Sequence, residues 1–377
     1  MVLRVAVVTE SFLPSVNGVT NSVVRVLESL KADGHEAIVI APTSNSNEFL
    51  GFPVITTNRF YFQQFPVALP LLNMTSILRS FKPDVMHVAA PFALGRQAIR
   101  VAERLGIATV AVYQTDIAGY TKRYGLGVLR PIIDRLVGNI HRNATLNLAP
   151  TQEGVDYLQK LKAAEPNIWG RGVDLELFNP RRKETSEVQK FRKKVLMGKN
   201  LVVGFVGRLA AEKQVERFAE LFDLPSVSFL IVGDGPERIR LEKLFSGQAV
   251  TFTGKLTGED LANAYAAMDI FVHCGTEETF GQTIQEALAT GLPVVAPDRG
   301  GPSYLVESSV TGYLVDPEKE NSYRDRVLRL ALDTDLRMAI GESARNSVHG
   351  KSWKVNNQKL FELYESAVRH KSNRVAA

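Results

Sequence analysis

Leu201-Val-Val-Gly-Phe-Val-Gly-Arg208 is a short β-branched run closed by Gly-Arg, and it follows a polar segment, Asn179 to Asn200, that holds Arg181-Arg-Lys and Arg192-Lys-Lys. A run of this kind bounded by glycine reads as a buried strand. Its place after a charged connector and lead-in helix reads as a second start of the same architecture. Beyond it the rhythm continues through Val227–Gly233, Val250–Gly254, Asp269–Cys274 and Pro293–Ala296. Ahead of it, Val2–Val8, Ala37–Ala41, Asp84–Ala89 and Ala108–Tyr113 are strand-like, with amphipathic stretches between several of them. In the helix expected from about Asn21, Val23, Val24, Leu27 and Leu30 share a face, and Gly34 lies just past the end. The alternation predicts an α/β chain with two doubly wound, parallel-sheet domains, residues 1–178 and 179–350. Residues 351–377 read as a terminal helix carrying Leu360, Phe361, Tyr364 and Val368, with a basic end expected to fray.

Composition bounds the function. With 377 residues, 45% of them hydrophobic, the chain can bury two cores. No run approaches the roughly 20 apolar residues of a membrane span, and Met-Val-Leu-Arg-Val-Ala-Val-Val reads as a first strand rather than a signal peptide. The single cysteine, Cys274, ends an apolar run; it excludes an internal disulfide, fits a reducing cytoplasm and reads as a core residue. The net charge of +5 does not call for nucleic acid as a partner. The stretch Arg96 to Arg142 holds eight Lys or Arg against three Asp or Glu, as large a surplus as the whole chain has. That stretch is either a solvated face or a surface for anionic lipid. Arg59-Phe-Tyr-Phe-Gln-Gln-Phe-Pro-Val-Ala-Leu-Pro-Leu-Leu72 is aromatic and apolar for a loop, and reads as a membrane contact, a cover for an acceptor pocket or core.

The chemistry is most legible at Glu278-Thr-Phe-Gly-Gln-Thr-Ile-Gln-Glu286. One continuous helix would hold the two carboxylates about 80° apart at roughly 100° per residue. Gly281 resolves this by letting a helix begin near 281 or 282, with Glu278 on the loop before it and Glu286 about a turn inside. Backbone N–H groups of Phe280, Gly281, Gln282 and Thr283 would then face a phosphate or sugar oxygen, and the carboxylates would suit hydroxyls. A surface helix with an acidic first turn is the plain alternative. After the strand at 201, Gly207-Arg208 and Lys213 bring a planar fork and a point charge to a strand-to-helix loop, suited to a diphosphate. A surface salt bridge to Glu212 is the plain alternative there. Val232-Gly-Asp-Gly235-Pro adds another glycine-rich strand end. In the first domain, Gly18 in the loop after the first strand would allow close backbone approach by a ligand, a plain strand-to-helix turn being the alternative. Gly-x-Gly-x-x-Gly is missing there and no Gly-x-x-x-x-Gly-Lys-Ser/Thr occurs, which argues against a dinucleotide dehydrogenase and a P-loop ATPase.

Taken in this order, Gly207-Arg208 with Lys213, Gly233-Asp-Gly-Pro, Glu278 with Glu286, and Gly300-Gly-Pro resemble retaining glycosyltransferases of the GT-B architecture, specifically glycosyltransferase family 4. The resemblance spans nearly the whole chain. Val112-Tyr-Gln114-Thr-Asp116-Ile-Ala-Gly-Tyr120 and Gly170-Arg171-Gly-Val-Asp174 narrow it to actinobacterial GDP-mannose-dependent α-mannosyltransferases that extend glycolipids. It implies two Rossmann-like domains facing a cleft, with the C-terminal helix crossing back to the first. It also implies that Arg208 and Lys213 neutralise the donor diphosphate, Glu286 holds the ribose, residues 278–281 contact the donor sugar, and Gly18 approaches from the first domain. Many family members carry histidine where Gln114 stands; Gln114 cannot be a general base, and Asp116 is the carboxylate available to hold a hydroxyl, a structural cap on the following segment being the plain alternative. Asp116, Glu278, Arg208 and Lys213 are thus the catalytic candidates, with Gln114 and Gln282 among the substrate-binding ones. Transfer would retain configuration, the departing phosphate helping to deprotonate the acceptor, and no cofactor or catalytic metal is required. The implied donor is GDP-mannose, and the implied acceptor a lipid-linked sugar or glycolipid such as a glucuronosyl diacylglycerol or a phosphatidylinositol mannoside. The place of work would be the cytoplasm, with an anionic inner membrane face as a surface partner. A UDP-sugar (glucosyl or sulfoquinovosyl) donor, a GT-B epimerase or phosphorylase, and a non-catalytic sugar-nucleotide sensor are the other readings. Tyr120, Lys122, Arg123 and Tyr124 are acceptor-side candidates.

Overall fold

The computed structural model describes residues 2–15, 17–62, 65–114 and 130–376. The chain divides into two compact units, Met1–Gly172 with Trp353–Ala377, and Val173–Ser352. The first is built on β1 (Arg4–Thr9), β2 (Glu36–Ala41), β3 (Glu48–Phe49), β4 (Phe52–Thr56), β7 (Val85–Ala89), β8 (Ala108–Val112), β9 (Leu146–Ala149) and β10 (Pro166–Ile168). They form one sheet in the order β10-β9-β8-β7-β1-β2-β4-β3. All neighbours are parallel except β3 and β4. Strand side chains alternate between the two faces, and both are covered, as a parallel sheet requires. Val5, Val7 and Val39 pack with Val23, Leu27 and Leu30 of helix Gly18–Ala32 and with Leu360 and Tyr364 of helix Trp353–Ala376. Ala6, Val8, Met86 and Val88 pack the other way, against Leu94 and Ala98 of helix Ala93–Leu105.

The second unit repeats the plan with β11 (Leu201–Val206), β12 (Val227–Val232), β13 (Val250–Gly254), β14 (Ile270–Val272), β15 (Val294–Pro297) and β16 (Gly312–Val315), ordered β13-β12-β11-β14-β15-β16. Every pair is parallel. Strand order reverses at β11, which lies between β12 and β14, and at β1 in the first unit, which lies between β2 and β7. Such switch points open a crevice at the carboxyl ends of the strands, where ligands of doubly wound sheets bind.

Several expectations change in detail. The first helix begins at Gly18, not near Asn21, because Asn17 caps it: its Oδ1 accepts the N–H groups of Val19 and Thr20, both at 3.0 Å. The stretch read as an aromatic loop is an antiparallel pair, β5 (Arg59–Phe62) and β6 (Phe65–Ala68), in keeping with the strand preference of aromatic and β-branched residues. The terminal helix continues through its basic end to Ala376. The division between units falls at Gly172 rather than after 178: Val173 donates to the carbonyl of Lys351, and Phe178 is buried in the second core. The charged segment does hold the lead-in helix expected of it, Ser186–Leu196, and is pinned to its own unit. Lys183 and Arg192 both pair with buried Asp269, at 2.7 Å each. Burial would raise that carboxyl, but the two cations hold it below its ordinary range. One Asp-x-Asp spacing does occur, Asp333-Thr334-Asp335, and the fold uses it as a helix start: Asp333 accepts the N–H of Leu336 at 2.9 Å.

Candidate functional site

The loops after β11, β12, β14 and β15 leave the carboxyl ends of neighbouring strands in the second unit, and they carry the motifs singled out in the sequence. The β12 loop packs onto the β11 loop: Gly207 donates to the carbonyl of Val232 at 3.0 Å, and Leu209 to that of Asp234 at 2.9 Å. The β11 loop then turns through Ala211–Lys213 in a short 3-10 segment. Gln214, 8% exposed, donates from its amide to Thr276 Oγ1 at 3.0 Å and so ties this turn to the loop after β14.

That tie brings the key charges together. Lys213 Nζ forms an ion pair with Glu278 Oε1, the two side chains being 18% and 16% exposed. The salt bridge weighed between Lys213 and Glu212 is not the one formed. Glu212 is 5% exposed and its Oε2 has no hydrogen-bond partner among the described residues. Arg208, by contrast, is exposed, and no ion pair to it is found among the described residues. The loop therefore offers one cation already committed to a carboxylate and one open to solvent.

Helix Gln282–Ala289 begins where the glycine predicted. Gly281 is its N-cap, with φ 92° in the left-handed region that only glycine adopts without strain. Glu278 stays on the loop, and Glu286 lies on the helix, 9% exposed. Phe280 is buried, whereas Gln282 and Thr283 are partly exposed. Phe280 and Gln282 also have interactions within the protein. Gly300-Gly-Pro clamps this loop from the end of β15. Gly301 donates to the carbonyl of Glu278 at 2.7 Å, and a Cβ on Gly301 would stand 2.3 Å from the carbonyl of Phe280.

Sequence reasoning missed Tyr265. Its hydroxyl donates to Glu286 Oε2 at 2.9 Å and approaches the carbonyl of Thr283 at 3.1 Å. Burial, and then the charge of Glu286, push that phenol well above its ordinary value, so it stays a donor. Tyr265 is set among alanines in Ala262-Asn-Ala-Tyr-Ala-Ala267, a pattern that says helix and core and nothing of a carboxylate 21 residues on. Cys274 is fully buried, as its apolar run implied. Among the described residues no group of three His, Cys, Asp or Glu stands where it could hold a metal ion.

In the first unit, Gly18 follows β1, Gln114 follows β8 and Arg171 follows β10. Gln114 is 4% exposed and accepts from Arg171 Nη2 at 3.4 Å. A Cβ on Gly18 would meet Arg171 Nη1 at 2.8 Å, so the guanidinium occupies the space the glycine leaves open. Burial lowers the Arg171 pKa to about 10, which leaves it charged near neutrality. Asp116, with Tyr120, Lys122, Arg123 and Tyr124, lies outside the described residues.

Comparison with known proteins places this geometry. Residues 16–177 match Glycosyltransferase Family 4, and residues 187–347 match Glycosyl transferases group 1. A Mycobacterium tuberculosis protein named GDP-mannose-dependent alpha-mannosyltransferase is 41% identical, over 100% of this chain and 99% of the relative. Sulfoquinovosyl transferase SQD2 of Arabidopsis thaliana is 33% identical, over 94% of this chain and 71% of the relative. Among solved structures, Anabaena HepE in complex with UDP superposes with a TM-score of 0.79 at 20% identity, covering 97% of this chain and 100% of that one, a likeness of fold. With two parallel-sheet units carrying these loops at their strand ends, the chain belongs to glycosyltransferase family 4 and is a glycosyltransferase of the GT-B class.

Proposed function

We propose that this glycosyltransferase moves mannose, with retention of configuration, from GDP-mannose to a lipid-linked or glycolipid acceptor. The observation that carries the reading is the 41% identity, across the full length of both chains, to a relative itself named a GDP-mannose-dependent alpha-mannosyltransferase. The donor half of the site is consistent with it. Lys213 and Arg208 would neutralise the diphosphate, Glu286 would hold the ribose hydroxyls, and Glu278 would receive the donor sugar's hydroxyls after giving up Lys213. The departing phosphate, charge-stabilised by these cations, would take the acceptor's proton as the new glycosidic bond forms. The 33% identity to a sulfoquinovosyl transferase supports a second reading, a UDP-sugar donor.

Parallel calorimetric titration with GDP and UDP separates the two readings before an acceptor is known. Tight GDP binding with weak UDP supports the mannosyl reading, and the reverse removes it. Glu286→Gln should weaken GDP binding by about tenfold, the lower end for hydrogen bonds to a charged group. Calorimetry on the folded variant checks this, and an unchanged Kd would take the ribose from Glu286. Asp116→Ala should mainly lower kcat while leaving the GDP Kd within about twofold, since its assigned role is on the acceptor side. An altered GDP Kd at constant kcat would place Asp116 on the donor instead.

The acceptor reading implies work at a lipid surface. Leu69 and Leu72 follow the β5–β6 pair at 39% and 99% exposed, and Ile132, 62% exposed, lies on the basic helix Arg130–Arg142. Exposed apolar side chains together with cations suit reversible contact with an anionic cytoplasmic leaflet. No described helix is long and apolar enough to cross a membrane.

A further inference from the structure

His273 follows β14 at the floor of the donor loops. It is 1% exposed, and neither ring nitrogen has a hydrogen-bond partner among the described residues. Buried polar groups are rarely left this way, and each one calls for an explanation. Its backbone N–H is fixed to the carbonyl of Val295 at 2.9 Å, and its ring stacks on Phe205 with centroids 6.4 Å apart and planes at 21°. The other edge looks toward the cationic turn. A Cβ placed on Gly275 would lie 3.2 Å from His273 Nε2, 3.1 Å from the carbonyl oxygen of Glu212 and 3.4 Å from Lys213 Cα. Burial, and next the charge of Lys213, lower its pKa to about 3, while the Gly275 peptide pulls weakly the other way without completing a hydrogen bond. The ring is therefore neutral, with one nitrogen a donor and the other an acceptor.

In this structure Lys213 is held by Glu278. A donor diphosphate would draw the ammonium off that carboxylate, and a group that fixes its new direction must do so without cancelling its charge. A buried neutral acceptor beside the turn meets that need; a second carboxylate would not. Resting on the donor-site reading above, we propose that His273 is a positioning residue which accepts a hydrogen bond from Lys213 and holds the ammonium against the distal phosphate of the nucleotide-sugar donor.

The test compares GDP and GMP binding by calorimetry in wild type, His273→Phe and His273→Asn, with UDP and UMP used in place of these if the wild type prefers uridine. Phe keeps the stack on Phe205 and removes the acceptor, whereas Asn keeps a neutral acceptor. The expected result is a Kd for GDP about tenfold weaker in His273→Phe, an unchanged Kd for GMP, and recovery of most of the GDP affinity in His273→Asn. Equal losses for GDP and GMP would show a structural role and overturn the proposal. If His273→Phe does not fold, the His273→Asn ratio of GMP to GDP affinity decides: wild-type selectivity supports the proposal, and loss of selectivity overturns it. Unchanged GDP binding in His273→Phe overturns this proposal alone, whereas a wild type that binds neither diphosphate overturns the donor-site reading and this proposal with it.

Discussion

Lys213→Ala should lower kcat/KM for the sugar-nucleotide donor by about a thousandfold, equivalent to about 4 kcal/mol, the upper range for removing one preorganised charge from a developing anion. The size follows from position. Lys213 is 18% exposed, so its charge is screened less than that of exposed Arg208. The variant also strands Glu278, 16% exposed, without its cation and beside an incoming diphosphate. Glu278→Gln gives the converse test. It frees the ammonium, so GDP should bind a few-fold tighter while turnover of the sugar nucleotide falls, because the group meant for the sugar is weakened. Steady-state kinetics with calorimetry checks both. Wild-type GDP affinity and kcat/KM in Lys213→Ala would remove Lys213 from the donor site.

Acid should unfold the first unit early, with a loss of about 4 kcal/mol between pH 7.5 and pH 5. His87 and His141 are each 1% exposed. Burial lowers them from 6.5 to about 3 and about 4, the bond of His141 to Asn147 partly opposing its shift. The sign follows from linkage. Below pH 6.5 the unfolded chain takes up protons that the folded unit refuses, so stability is full above that value and falls as pH drops toward 4. Each histidine contributes about 1.4 kcal/mol per pH unit over that window, or about 2 kcal/mol by pH 5. The probe is built in: the chain has two tryptophans, Trp169 and Trp353, and both belong to the first unit. The urea midpoint of tryptophan emission should therefore fall with pH, and His141→Gln, which keeps a donor for Asn147 without titrating, should remove about half of the dependence. A midpoint that stays flat down to pH 5 would contradict the buried neutral histidines.

Most of the fold was legible because strand identity is local. Leu201–Val206, Val227–Val232, Val250–Gly254 and Val294–Pro297 are short apolar runs between turn residues, and each is a strand within a residue or so of the expected limits. Boundaries set by particular caps and strand pairings were not legible. The Asn17 cap moved the first helix three residues forward, and the β5–β6 pairing turned an expected loop into a hairpin. The site divides in the same way. Gly281 announced the break between Glu278 and Glu286, since a left-handed N-cap is written into a glycine.

The sequence alone therefore determined the two α/β units, the glycine-set loop geometry and the carboxylates at 278 and 286, because propensity, periodicity and φ preference act over a few residues. Only the tertiary structure decided who pairs with whom. Lys213 chooses Glu278 over its chain neighbour Glu212 because Gln214 ties the turn after β11 to the loop after β14, 62 residues on. Tyr265 meets Glu286 because both belong to the core in which Tyr265 clusters with Ile284 and Ala287, and His273 feels the charge of Lys213 because β14 lies beside β11 in the sheet. Partners far apart in sequence are set by strand order and packing, and no local pattern encodes them.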